Sequence, residues 1–131
     1  MRARFISSFF AKYWLVLLAA LMLAAPVQAR GPQLGGIPEI TLDQLPFEAQ
    51  QTMSLIRQGG PFPYEKDGSV FGNYEGVLPR QKRGYYHEFT VKTPRARNRG
   101  ARRIISGGDP KTSGEYYYTS DHYRTFRRIR D

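Results

Sequence analysis

The rhythm of apolar and polar positions changes along this chain, and each change marks an element. Residues 14–25 form an unbroken apolar run behind a basic front of Arg2, Arg4 and Lys12. Pro26-Val27-Gln28-Ala29 then puts Val27 and Ala29 where a signal peptidase reads small residues, which predicts a secretory signal peptide over residues 1–29. The run has 12 residues, short of the roughly twenty that a spanning helix needs. Residues 30–44 open with Gly and Pro and read as a leader, with a short extended piece at 40–42. Leu45, Ala49, Met53 and Ile56 follow at helical spacing, helped by Leu55. Pro46 suits the first turn of that helix and Glu48 its positive end. Gly59-Gly60 stops it.

After the helix the pattern becomes extended. Strands are predicted at residues 70–71, 85–93, 102–106, 116–119 and 123–129, separated by turn-rich stretches at 94–100 and 107–114. Strands this closely spaced, with no helical pattern between them, read as an antiparallel meander. The expected fold class is α+β: a single N-terminal helix packed on an antiparallel β-sheet, in one domain over residues 45–131.

Composition narrows what such a domain does. Residues 1–29 hold three bases and no acid, so the remaining 102 residues carry 17 bases against 11 acids, a net charge of +6. A small domain this basic attracts polyanions, nucleic acid first. There is no Cys, which excludes a disulfide, a thiolate metal site and a lipid anchor on cysteine. Two His alone make a structural zinc site unfavourable. No metal and no cofactor is expected.

Candidate chemistry gathers on the strand at 85–93. Alternation puts Tyr85, His87, Phe89 and Val91 on one face and Tyr86, Glu88, Thr90 and Lys92 on the other. Phe89 and Val91 belong against the helix, so Glu88 is expected on the open face and His87 on the wrong one to serve it. Five arginines fall within nine residues: Arg95, Arg97, Arg99, Arg102 and Arg103. Their planar forks match phosphate oxygens and stay charged. Either Arg102 or Arg103 must share the face of Glu88, but Ile104-Ile105 is apolar in both registers and leaves the choice open. His122, between Asp121 and Tyr123, sits where a loop can carry it over the sheet. Histidine titrates near neutrality and can protonate a leaving alkoxide. Glu88 as base, arginines on a phosphoryl group and His122 as acid form a set that cleaves RNA through its own 2′-hydroxyl. In the loop Phe71-Gly72-Asn73-Tyr74-Glu75, the Glu75 carboxylate suits the two adjacent donors of guanine. Tyr74 and Tyr123 are candidates to stack on unpaired bases. The alternative is a non-catalytic basic module that binds RNA or an inhibitor.

Taken in order, several motifs resemble the guanyl-specific microbial ribonucleases, the secreted group that includes barnase. They are Gly60-Pro61-Phe62-Pro63-Tyr64, Asp67-Gly68, Phe71-x-Asn73-x-Glu75, Leu78-Pro79, residues 84–91, Thr93-Pro94, Arg99-Gly100-x-Arg102-Arg103 and Tyr117-Tyr118-Thr119-x-Asp121-His122-Tyr123. The small Streptomyces enzymes are the branch most resembled. The resemblance implies the microbial ribonuclease fold and cleavage of single-stranded RNA after guanosine through a 2′,3′-cyclic phosphate, then hydrolysis to the 3′-phosphate. It implies Glu88 as general base, His122 as general acid, and Arg99 and Arg103 on the phosphate. It places Asn73 and Glu75 in the guanine-binding loop and Tyr123 beside base and phosphate. It also implies a monomer, secreted to the medium or periplasm without stable membrane association, and a barstar-like inhibitor as a possible partner. Gly72 and Tyr74 depart from that branch, where Gln and Arg are usual.

Overall fold

The computed structural model describes residues 36–131, so the signal segment lies outside the described residues. The chain enters through β1 (Glu39–Thr41), a short 3-10 turn (Leu42–Gln44) and α1 (Phe47–Gln58). Five strands follow: β2 (Val70–Phe71), β3 (Tyr86–Thr90), β4 (Arg103–Gly107), β5 (Tyr116–Thr119) and β6 (Arg127–Arg130). They form one six-stranded sheet in the order β1-β6-β5-β4-β3-β2. The expected helix-on-sheet architecture is what the chain adopts.

Local chemistry sets the ends of α1. Pro46 occupies the N-cap, where its missing N–H costs nothing, and Glu48 lies in the first turn. Gly59 closes the helix in the left-handed region at φ 88°. Its N–H donates to Leu55 O at 2.9 Å, and Gly60 N–H donates to the same carbonyl at 3.0 Å. Both bonds satisfy one carbonyl that the helix end would otherwise leave open. Ala49, Thr52, Met53 and Ile56 form the buried face.

The meander needs two corrections. β1, read from the sequence as part of a leader, is a strand of this sheet and pairs parallel with β6, with Ile40 opposite Ile129. The strand expected over 123–129 is shorter, because residues 120–125 bend around the Asp121 carboxylate before β6 begins.

The sheet has a core on each side, and this explains the ambiguous alternation. Toward α1, Ala49, Met53 and Ile56 pack with Phe89, Val91, Ile104, Tyr118 and Ile129. On the far side Leu78, Tyr86, Ile105, Tyr117 and Phe126 make a second cluster. Ile104 therefore faces one core and Ile105 the other, and both are fully buried. Glu88 shares its face with this second cluster, so that face is not open: it is covered at one end and polar at the other.

Phe89 links the helix-side core to the loop before β2, its ring 4.9 Å from that of Phe62. Truncating it leaves a cavity that neighbours on three elements must line. Phe89→Ala is expected to cost about 3–5 kcal/mol in urea unfolding. That is a large share of the roughly 5–15 kcal/mol available to such a domain. A loss below about 1.5 kcal/mol would contradict the packing described.

Candidate active site

Register decides which arginine meets Glu88. Across β3 and β4, Glu88 lies opposite Ile105 and Thr90 opposite Arg103. Opposed residues share a face, so Arg103 stands on the face of Glu88. Arg102 points to the helix side, where its Nη1 lies 3.9 Å from Glu48 Oε1. The choice left open by the sequence falls to Arg103.

The Glu88 carboxylate is held at both oxygens. Arg99 Nη2 donates to Oε1 at 2.9 Å, and the Tyr123 hydroxyl donates to Oε2 at 2.9 Å. Arg99 is itself positioned by Thr90, whose Oγ1 accepts from Nε at 3.0 Å and Nη2 at 2.8 Å. The Glu88 side chain is 14% exposed, so its ion pair with Arg99 is largely shielded from water. Burial, with the hydrogen bond to Glu88 second, pushes the Tyr123 phenol up to about 12, so it stays a donor at working pH.

Arg103 is almost wholly buried, at 3% exposure. Its Nη1 donates to the carbonyls of Arg102 at 2.7 Å, Gly100 at 3.0 Å and Arg99 at 3.4 Å. Its Nε is buried without a partner. Among the described residues no carboxylate comes within 4.0 Å of it. The guanidinium lies 6.0 Å from the centre of the Tyr123 ring. A cation placed this way is half-satisfied by carbonyl dipoles and open to an anion beside Glu88.

His122 is carried by a bent loop rather than a strand entry. His122 and Tyr123 both adopt left-handed backbone, at φ 57° and 73°. Two such side-chain-bearing residues in succession are strained, and the surroundings must hold them. His122 N–H donates to Ala101 O at 3.0 Å, tying this loop to the arginine loop. Tyr123 N–H donates to Thr119 Oγ1 at 3.1 Å. Asp121 accepts from the Thr119 hydroxyl at 2.9 Å and from the Thr125 N–H and hydroxyl at 2.9 and 2.6 Å. The imidazole is exposed, 4.7 Å from the Tyr123 ring centre to centre.

Beside this centre is a cavity of about 280 Å³ between the loop after β2 and the His122 loop. Phe71 stacks on Tyr123 at 4.9 Å and meets Phe126 edge-on at 6.0 Å, giving it an aromatic wall. Asn73, Tyr74, Glu75 and Val77 form the opposite rim, and His122 joins the wall. Glu75 is exposed, with no cation within 4.0 Å among the described residues. The Asn73 amide is engaged inside its own loop, donating to Leu78 O at 3.0 Å and accepting from Leu78 N–H at 3.2 Å. With φ at 51°, Asn73 shapes the rim, and its amide holds the loop that forms it.

The structure thus brings Glu88 into contact with Arg99 and Tyr123 and puts Arg103 on the same sheet face, with His122 on the adjoining wall and Glu75 across the cavity. His87 stays apart, its Nδ1 buried without a partner. Sequence reasoning missed Thr90 as the anchor of Arg99 and the clamp made by Thr119, Asp121 and Thr125. The spacing of Thr119, Asp121 and Thr125 was the available signal, since such side chains bond nearby backbone in turns.

A ribonuclease family model matches residues 28–130. Guanyl-specific ribonuclease Sa of Kitasatospora aureofaciens is 57% identical over 90 residues, covering 69% of this chain and 91% of that protein. Guanyl-specific ribonuclease St of Saccharopolyspora erythraea is 53% identical over 92 residues, covering 70% of this chain and 87% of that protein. A structure of ribonuclease Sa2 complexes with mononucleotides superposes with a TM-score of 0.69 at 46% identity, over 73% of this chain and 96% of that one. Ribonuclease Sa2 with guanosine-2′-cyclophosphate gives 0.66 at 45% identity, over 72% and 97%.

The hydrogen bonds of the Thr125 side chain and N–H hold the Asp121 carboxyl at about 2, below its ordinary 3.8. A carboxyl depressed by folding stabilises the loop above its unfolded value and loses that contribution as pH falls through the folded one. Melting temperature should therefore drop more steeply between pH 4 and pH 2 in the native protein than in Asp121→Asn, taking about pH 4 as the unfolded reference. Equal slopes would show that the carboxylate does not hold the loop.

Proposed function

The chain belongs to the ribonuclease family, and from that premise we propose how its residues cleave RNA after guanosine. The observation that carries the proposal is one carboxylate, Glu88, paired with Arg99 on the sheet face it shares with the buried Arg103, which among the described residues has no carboxylate within 4.0 Å. A phosphodiester fits between them because its oxygens replace the anion that Arg103 lacks.

Glu75 accepts from the N1–H and amino group of guanine, and the Phe71–Tyr123 wall supports the base. Glu88 removes the proton of the 2′-hydroxyl, and the 2′-oxygen attacks the neighbouring phosphorus. Arg99 and Arg103 take up the charge that builds on the phosphoryl oxygens, in a site largely shielded from water. His122 protonates the departing 5′-oxygen, leaving a 2′,3′-cyclic phosphate. In the second step His122 takes a proton from water, the hydroxide opens the ring, and Glu88 returns its proton to the 2′-oxygen. The product is a 3′-phosphate. Tyr123 acts through Glu88, fixing the oxygen it donates to. The nucleophile comes from the substrate, so DNA is inert.

Three further features complete the reading. The basic, apolar and small-residue pattern of residues 1–29 supports export with cleavage after Ala29. The uncompensated arginines support an acidic inhibitor protein of the barstar kind as a partner. A monomer suffices for this reaction, since the sequence of steps calls on no second copy.

The mature domain should cleave RNA after G in EDTA and release cyclic phosphates first. Glu88→Gln and His122→Gln should each lower kcat/KM by about 10²–10⁴-fold. The wild-type profile of kcat/KM against pH should be bell-shaped, because the base must be ionised while the acid is protonated. A flat profile, or full activity in either variant, would sink the assignment. Mass spectrometry of the exported product should find Arg30 at its N-terminus; a chain that still carries residue 1 would refute cleavage.

A further inference from the structure

The loop that rims the base pocket has a second side. A groove of about 450 Å³ is lined by Asn73, Tyr74 and Glu75 on one flank and by Arg80 and Gln81 on the other. The first three residues also line the base pocket, so the two cavities lie back to back across one loop. Arg80, Lys82 and Arg83 are exposed and follow one another closely. Among the described residues none of them has a carboxylate within 4.0 Å.

Tyr74 stands over this groove. Most of its ring is in water, at 84% exposure, while Tyr86, Tyr116, Tyr117 and Tyr118 are all buried. Its place is nevertheless defined. The Tyr74 hydroxyl accepts from Arg83 Nη1 at 2.6 Å. The ring lies on Gly72, where a Cβ would come within 2.4 Å of it, so any larger residue there would displace the ring. An exposed aromatic face held beside unpaired cations is the chemistry that binds single-stranded nucleic acid: the base stacks and the phosphate meets the cations.

We propose that this groove binds the nucleotide on the 5′ side of the cleaved guanosine, with its base on Tyr74 and the linking phosphate against Arg80 and Arg83. The proposal rests on the neighbouring cavity holding guanosine. Direction follows from His122. It protonates the oxygen of the nucleotide on the 3′ side, and it stands on the wall across from Tyr74, so that part of the strand leaves past His122. The groove behind Tyr74 is left to the 5′ continuation. An RNA with a 5′ neighbour is thus a better substrate than a bare guanylyl dinucleotide.

The test compares GpU with ApGpU and with the same trinucleotide carrying an abasic residue in place of adenosine. ApGpU should exceed GpU in kcat/KM by about tenfold, with the abasic substrate between them. Arg80→Ala, which leaves the Arg83–Tyr74 hydrogen bond in place, should cleave GpU as the native protein does and lose part of the gain on ApGpU. Equal kcat/KM for GpU and ApGpU, or a gain that Arg80→Ala leaves whole, would overturn the subsite while leaving the ribonuclease reading intact. An abasic substrate as good as ApGpU would overturn the stacking on Tyr74. If the native protein cleaves neither substrate, the guanosine reading fails and the subsite falls with it.

Discussion

The buried arginine on the Glu88 face of the sheet, Arg103, governs the geometry of the site. Arg103 is only 3% exposed, and a charge so little hydrated is costly unless polar groups surround it. The chain supplies them by curling residues 99–102 back so that three carbonyls reach Nη1. That curl requires Gly100 in the left-handed region at φ 67°, packed so closely on Thr93 that a Cβ would lie 2.4 Å from its hydroxyl oxygen. The same curl delivers Arg99 to Glu88 and exposes Ala101 O to the His122 N–H. Solving one solvation problem therefore places the anion site, the base and the loop of the acid together.

The fold was largely legible, because its signals are local. Pro46 and Gly59 bracket a helix whose apolar stripe has the right period, and β3 to β5 alternate with turns rich in Gly. What stayed hidden depends on contacts distant in sequence. Ile104-Ile105 gave no register because β4 is apolar on both faces, one for each core. The parallel pairing of Glu39–Thr41 with Arg127–Arg130 left no trace in a three-residue strand. Residues 123–125 read as strand because Tyr123 and Phe126 suit one, while Asp121 and its threonines decide the path.

The site residues were legible in a different way. Glu88 or His122 alone reads as surface, and their meaning came from the ordered set of motifs. The sequence could not assign the side chain of Asn73. The structure ties it to the loop backbone, so this amide helps fix the rim of the base pocket. Strain is confined to the same region. His122, Tyr123 and Asn73 hold left-handed backbone, and Arg95 joins them in the arginine loop. Order there comes from the two cores beneath, which is where a rigid scaffold allows loops to depart from easy conformations.

The strand order β1-β6-β5 also has a meaning in time. The last strand to be made lies inside the sheet, between the first strand and the rest. Arg57 and Asp131, and Glu39 and Arg130, are joined across nearly the whole described chain. Until β6 is seated between β1 and β5, the sheet is not closed and the loop that presents His122 lacks the strand it leads into. Sequence-distant pairings of this kind form late. Placement of the acid is thus coupled to completion of the sheet, which needs segments far apart in the described chain to meet.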